Sequence, residues 1–140
     1  MKVAEHAGIL EFLSKLFRPL IFRIFPDIPK DHPAIGYILS NITANIFGLG
    51  NAATPMGIKA MEQMKELSGS DEASRSMITF LALNTSSLTI IPTTVISIRM
   101  QYDSVSPTEI VGTTIIATLI SSISALLIDR LFYYRSLRRK

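Results

Sequence analysis

Charge is missing from three long stretches of this chain, and that absence constrains the fold more than any motif does. No Asp, Glu, Lys or Arg occurs over residues 33–58, over the 23 positions 76–98, or over the 19 positions 110–128. A hydrocarbon layer about 30 Å thick is crossed by about 20 apolar residues at a helical rise of about 1.5 Å each. The second and third stretches therefore read as spanning helices. The soluble alternative is a helix pair buried on all sides, but a single domain of 140 residues has too little other mass to cover two such helices completely. The expected fold class is an all-α, polytopic membrane protein.

Composition supports this and removes several function classes. Charged residues make up 18% of the chain and hydrophobic residues 48%. That excludes a disordered tail, a fibrous repeat and a charge-rich coiled coil. There is no cysteine, so disulfides, thiolate metal sites and thiol chemistry are all absent. There is no tryptophan either, which leaves Tyr and Phe as the interfacial aromatics.

The chain reads as one domain with five parts. Residues 1–25 are expected to form an amphipathic helix: Ile9, Leu13, Leu16, Phe17, Leu20 and Ile24 keep helical spacing, opposite Glu11, Lys15 and Arg18. Pro19 is expected to kink or end it. Pro26, Pro29 and Pro33 make the next segment a loop, with Asp27, Asp31 and His32 as turn formers and caps rather than metal ligands. Residues 33–67 read as a broken helix pair, interrupted at 48–53 and restarted by Thr54 as N-cap with Pro55 at the first helical position. Residues 71–98 read as a transmembrane helix kinked at Pro92, and 107–134 as a second, opened by the capping box Ser106-Pro107-Thr108-Glu109. The basic tail 135–140 follows. It reads as an orientation signal and a lipid-headgroup anchor, not as a nucleic-acid contact.

Arg130, Arg135, Arg138, Arg139 and Lys140 place the C-terminus in the cytoplasm. A re-entrant course for 33–67 then keeps nearly all Lys and Arg on the same side, whereas a full crossing would put Lys2, Lys15, Arg18, Arg23 and Lys30 outside.

All four asparagines, Asn41, Asn45, Asn51 and Asn84, lie in the uncharged stretches. An amide without a partner in hydrocarbon costs several kcal/mol, so these residues should face other helices or a polar cavity. Asn41, Ala44, Asn45 and Gly48 share one helix face that leads into the break. Broken helices of this kind form binding sites in transporters, where free amides and carbonyls meet a ligand. The candidate ligand-binding set is Asn41, Asn45, Asn51, Thr54, Asn84, Thr85 and Ser86. The same residue types also serve helix packing, and residue types alone leave the two readings open. No nucleophile elbow, phosphate loop or metal-spaced histidine pair is present, so the reading is not an enzyme and calls for no cofactor or metal.

Two runs carry a resemblance: Gly36-Tyr37-Ile38-Leu39-Ser40-Asn41, then 44–61 around Gly48-Leu49-Gly50-Asn51-Ala52-Ala53-Thr54-Pro55. With Glu72-Ala73-Ser74-Arg75-Ser76-Met77, Asn84-Thr85-Ser86 and Ile91-Pro92-Thr93-Thr94-Val95, they resemble the spore maturation protein A family. That family sits among the nucleoside-recognition, or gate, domains and resembles part of the concentrative nucleoside transporters. The resemblance implies a role in spore maturation and core dehydration, with spore maturation protein B as partner and a nucleoside-like small molecule as ligand. The alternative it leaves is a non-transporting assembly factor whose polar stripes pack against spore maturation protein B or a second copy of the chain. Family members usually carry hydrophobic segments ahead of the point where this chain opens with Met1-Lys2-Val3-Ala4-Glu5, so a fragment, a start assigned at an internal methionine or a true short form is expected.

Overall fold

A computed structural model describes residues 9–138, which contain six helices and no strand. The expectations for residues 1–8 of the N-terminal helix, and for Arg139 and Lys140 of the tail, lie outside the described residues. The helices are α1 (Ile9–Ile24), α2 (Pro33–Ile46), α3 (Gly50–Ser68), α4 (Arg75–Ser86), α5 (Thr93–Gln101) and α6 (Ile110–Leu137).

α1 buries Ile21 and brings Phe17 and Ile24 of its expected apolar stripe against the core, while Leu16 and Leu20 of that stripe are exposed. Pro19 does not end it: the helix continues to Ile24. Pro19 is exposed, so its ring sits on the outer face, where it obstructs no packing. The Phe25–His32 loop then reverses the chain. His32 is the N-cap of α2, its Nδ1 accepting the Ala34 N–H at 3.3 Å, and Pro33 takes the first helical position. Phe25 and Ile28 of the loop pack with Ala34, Ile35, Ile38, Ala60, Met64 and Phe80 in the core. The Phe25 and Phe80 rings meet tilted, 6.3 Å apart.

α2 and α3 form a tight antiparallel hairpin. The break is shorter than the sequence suggests and occupies only 47–49. Gly48 reverses the chain at φ +64°, and the Leu49 carbonyl at once accepts the Ala52 and Ala53 N–H groups at 2.9 Å each. The helix therefore restarts at Gly50, and Thr54 is not its N-cap: the hydroxyl donates back to the Gly50 carbonyl at 3.0 Å. Pro55 lies inside the helix, where the Asn51 carbonyl loses the donor four residues on.

The expected helix over 71–98 is two helices. It starts at Arg75, with the Ser74 hydroxyl capping the Met77 N–H, and it stops at Ser86. Ser87 takes φ 43°, and 87–92 are non-helical before α5 begins. Pro92 is the physical cause. It offers no N–H to Leu88, and it disfavours helical geometry at Ile91. α4 has 12 residues and α5 has 9, so neither alone spans about 30 Å.

One helix does have the length and apolarity to cross a membrane: α6, over Ile110–Ser136, almost none of it covered by protein. It begins at Ile110 rather than 107. The capping box does not form; the Ser106 carbonyl, not its hydroxyl, meets the Glu109 N–H and the Arg99 guanidinium. α6 packs against α4. Along its other sides Ile116, Ile120, Ile123, Leu127, Ile128, Leu131 and Phe132 are exposed, as suits a helix solvated by hydrocarbon.

Candidate functional site

The two helix breaks lie against each other. The carbonyl of Ile46, at the end of α2, accepts the N–H groups of Ile90 and Ile91 at 2.9 and 3.0 Å. The Thr93 hydroxyl donates to the Phe47 carbonyl at 2.9 Å, and that of Thr94 to the Gly48 carbonyl at 3.0 Å. Each break thus satisfies polar backbone groups that the other leaves free, as backbone groups withdrawn from water require. A Cβ on Gly48 would stand 2.7 Å from the Ile91 carbonyl oxygen, so both the reversal and the close approach need glycine. Thr118 of α6 braces the second break, its hydroxyl 3.3 Å from the Thr89 N and 3.2 Å from the Thr89 carbonyl.

Beside this joint sits an asparagine cluster. Asn41 is buried; its Nδ2 donates to the Ala53 carbonyl at 2.8 Å, across the α2–α3 hairpin. Asn45, one turn later on the same face, donates through Nδ2 to Asn84 Oδ1 at 2.9 Å and to Asn41 Oδ1 at 3.3 Å. Gly57 of α3 lets the cluster close: a Cβ there would lie 3.0 Å from Asn41 Nδ2 and 3.6 Å from Asn84 Nδ2. Asn41 therefore spends both ends of its amide on the protein. Asn45 Oδ1 and Asn84 Nδ2 make no hydrogen bond among the described residues.

Those two amides line an open cleft of about 560 Å³. Its walls include Gly50, Ala53, Thr54 and Gly57 of α3 and Phe80 and Leu81 of α4, with Glu62 and Lys65 also on its lining. A smaller space of about 320 Å³ lies at the joint, between Asn45, Gly48, Thr89 and Thr94.

Of the seven residues expected at a site, the structure brings Asn41, Asn45 and Asn84 together and puts Thr54 on the cleft wall. Asn51 is exposed near the start of α3, outside that cleft. Thr85 and Ser86 turn their hydroxyls to the carbonyls of Leu81 and Leu83. The sequence reading missed a second polar centre. Arg75 donates to both carboxylate oxygens of Asp129, at 2.6 and 2.5 Å, and Thr79 donates to the same carboxylate at 3.0 Å. The guanidinium also stands 4.4 Å from the Tyr133 ring centroid. The available signal was a lone Asp one residue past the third uncharged stretch, since a carboxylate there needs a cation.

A family model described as Gate, nucleoside recognition, matches residues 1–102. The chain is 68% identical over 136 residues to spore maturation protein A of Bacillus subtilis (strain 168), an alignment covering 96% of this chain and 69% of that protein. No solved structure matches.

Proposed function

The chain belongs to the nucleoside-recognition Gate family, and on that premise we propose that it binds a nucleoside-like solute in the cleft beside its crossed helix breaks and serves spore maturation. One observation carries the reading: Asn45 and Asn84, whose amides keep an acceptor and a donor without a hydrogen bond among the described residues, both line this cleft. A neutral heterocycle or a sugar hydroxyl presents that complementary pattern. The cleft volume of about 560 Å³ lies within the range of about 300–1,000 Å³ usual for small-molecule sites. Asn41 holds the hairpin that presents Asn45, and Thr54 adds to the wall. The α2–α3 hairpin enters and leaves the bilayer from the cytoplasmic side, with the C-terminus on that side too; the Lys and Arg distribution supports both.

Spore maturation requires the solute site, so Asn45→Ala and Asn84→Ala should each impair spore dehydration while the protein still accumulates in the membrane. Asn51→Ala should be mild. Wild-type dehydration with both cluster variants would refute the site. The uncovered face of α6 favours a second reading, a helix packed against spore maturation protein B. Variants that reach the membrane, lose function and no longer co-purify with that protein would favour it.

A further inference from the structure

The short helices α4 and α5 are tied to α6 at three levels. Where α4 starts, Arg75 and Thr79 hold Asp129 of α6. At the break after α4, the Thr89 N–H and carbonyl meet the Thr118 hydroxyl. At the far end of α5, Arg99 donates to the Ser104 hydroxyl at 3.2 Å and to the Ser106 carbonyl at 3.1 Å, in the loop that leads into α6 at Ile110. α4 and α5 together therefore cover the depth that α6 covers alone between Ile110 and Asp129. At a helical rise of about 1.5 Å, Thr118 lies about 12 Å from Ile110 and about 17 Å from Asp129. That depth is close to a hydrocarbon layer of about 30 Å, and the break falls near its middle.

α5 suits such a medium. It buries no residue, and Val95, Ile98 and Met100 are exposed, as are Ile90 and Ile91 of the break. Yet from Thr93 to Arg99 every polar side chain is spent on the protein. Thr93 and Thr94 donate to the Phe47 and Gly48 carbonyls, and Ser97 donates to the Thr93 carbonyl at 2.9 Å. Arg99, the one charged residue of α5, folds onto the loop at Ser104 and Ser106. A helix in water has no need to satisfy each hydroxyl internally, whereas a helix in hydrocarbon does. Tyr102 follows at once, 83% exposed, where an aromatic at the membrane–water boundary would stand.

We propose that α4 and α5 cross the bilayer together as one interrupted span, with acyl chains against the outer face of α5 and both helix breaks near the midplane. The crossing of the breaks then has a purpose. Backbone groups freed at mid-depth meet no water, and the Ile46, Phe47 and Gly48 carbonyls and the Ile90 and Ile91 N–H groups are satisfied by each other's segment. The inference rests on the membrane placement of α6 and not on the solute site.

The lack of tryptophan makes the test clean. Ile90→Trp, Ile98→Trp and Tyr102→Trp each put one fluorophore on an exposed position, at the break, on α5 and just past it; Ile116→Trp reports on α6. Each protein is reconstituted in phosphatidylcholine brominated either near the chain ends or near the carbonyls, and iodide is added outside. Ile90→Trp and Ile116→Trp should lose most emission to bromines near the chain ends, and Ile98→Trp to those near the carbonyls. None of these three should respond to iodide, whereas Tyr102→Trp should. Quenching of Ile90→Trp or Ile98→Trp by iodide would put α5 in water and overturn the proposal. So would the absence of quenching by either bromolipid at both positions, which would mean that protein covers α5. If Ile116→Trp alone escapes the bromolipids, the membrane placement of α6 fails and the proposal falls with it.

Discussion

Removing the guanidinium of Arg75 should loosen α6 from the rest of the molecule. Asp129 is 8% exposed, and its carboxylate receives two hydrogen bonds from Arg75 and one from Thr79. In Arg75→Ala the carboxylate keeps only the threonine hydroxyl and loses its counter-charge. Breaking a buried ion pair from one side costs about 3–5 kcal/mol. The Arg75 side chain is 21% exposed, so water reaches part of the site and the lower figure, about 3 kcal/mol, applies. α6 packs chiefly on α4, and the two ions link those helices, so little else offsets the loss. The assay is thermal unfolding of purified protein in detergent, where about 3 kcal/mol corresponds to a fall of roughly 10 °C. The swapped pair Arg75→Asp with Asp129→Arg should recover part of that loss. A midpoint unchanged in Arg75→Ala, or a swap no better than either single change, would refute the reasoning.

Gly48→Ala should destabilise the protein by at least about 2 kcal/mol, because it adds strain at positive φ to a Cβ 2.7 Å from the Ile91 carbonyl; a denaturation midpoint equal to wild type would contradict this. Gly57→Ala should cost less, about 1–2 kcal/mol, since the Asn41 amide 3.0 Å from its new Cβ can shift by a few tenths of an ångström. Its signature is weakened solute binding, measured by titration, and unchanged binding would count against the cluster geometry. A cysteine at Lys30, unique in a chain without cysteine, should be labelled from the cytoplasmic side only; labelling from outside intact cells would mean that the hairpin crosses the membrane.

Much of this architecture is legible in the sequence because it follows from local chemistry. The proline loop and the shared face of Asn41 and Asn45 are consequences of spacing, and the structure keeps both. The helix ends were less legible because they depend on distant groups. Thr54-Pro55 is a sound local start signal, yet the Gly48 reversal and the Leu49 carbonyl set the start earlier. Pro92 signals a disturbance without giving its size. The helix can open fully over 87–92 because the Ile46 carbonyl waits for two of the freed N–H groups. Asn84 is separated from Asn45 by 39 positions and Asp129 from Arg75 by 54, and neither partnership leaves a periodic trace in a single chain.

The central claim is that Asn45 and Asn84 jointly recognise a solute, and ligand-induced stabilisation tests it most directly. Purified protein is heated across a panel of nucleosides, alongside Asn45→Ala and Asn84→Ala, with Ile116→Ala as a control on the exposed side of α6. A nucleoside present at about 100 times its Kd should stabilise the wild type and the control by about 2.7 kcal/mol. Either asparagine variant should lose most of that stabilisation, because the facing polar group of the ligand is left unpaired at a cost of about 1–3 kcal/mol. Stabilisation of the asparagine variants equal to wild type, or of none of the proteins by any nucleoside, would contradict the account.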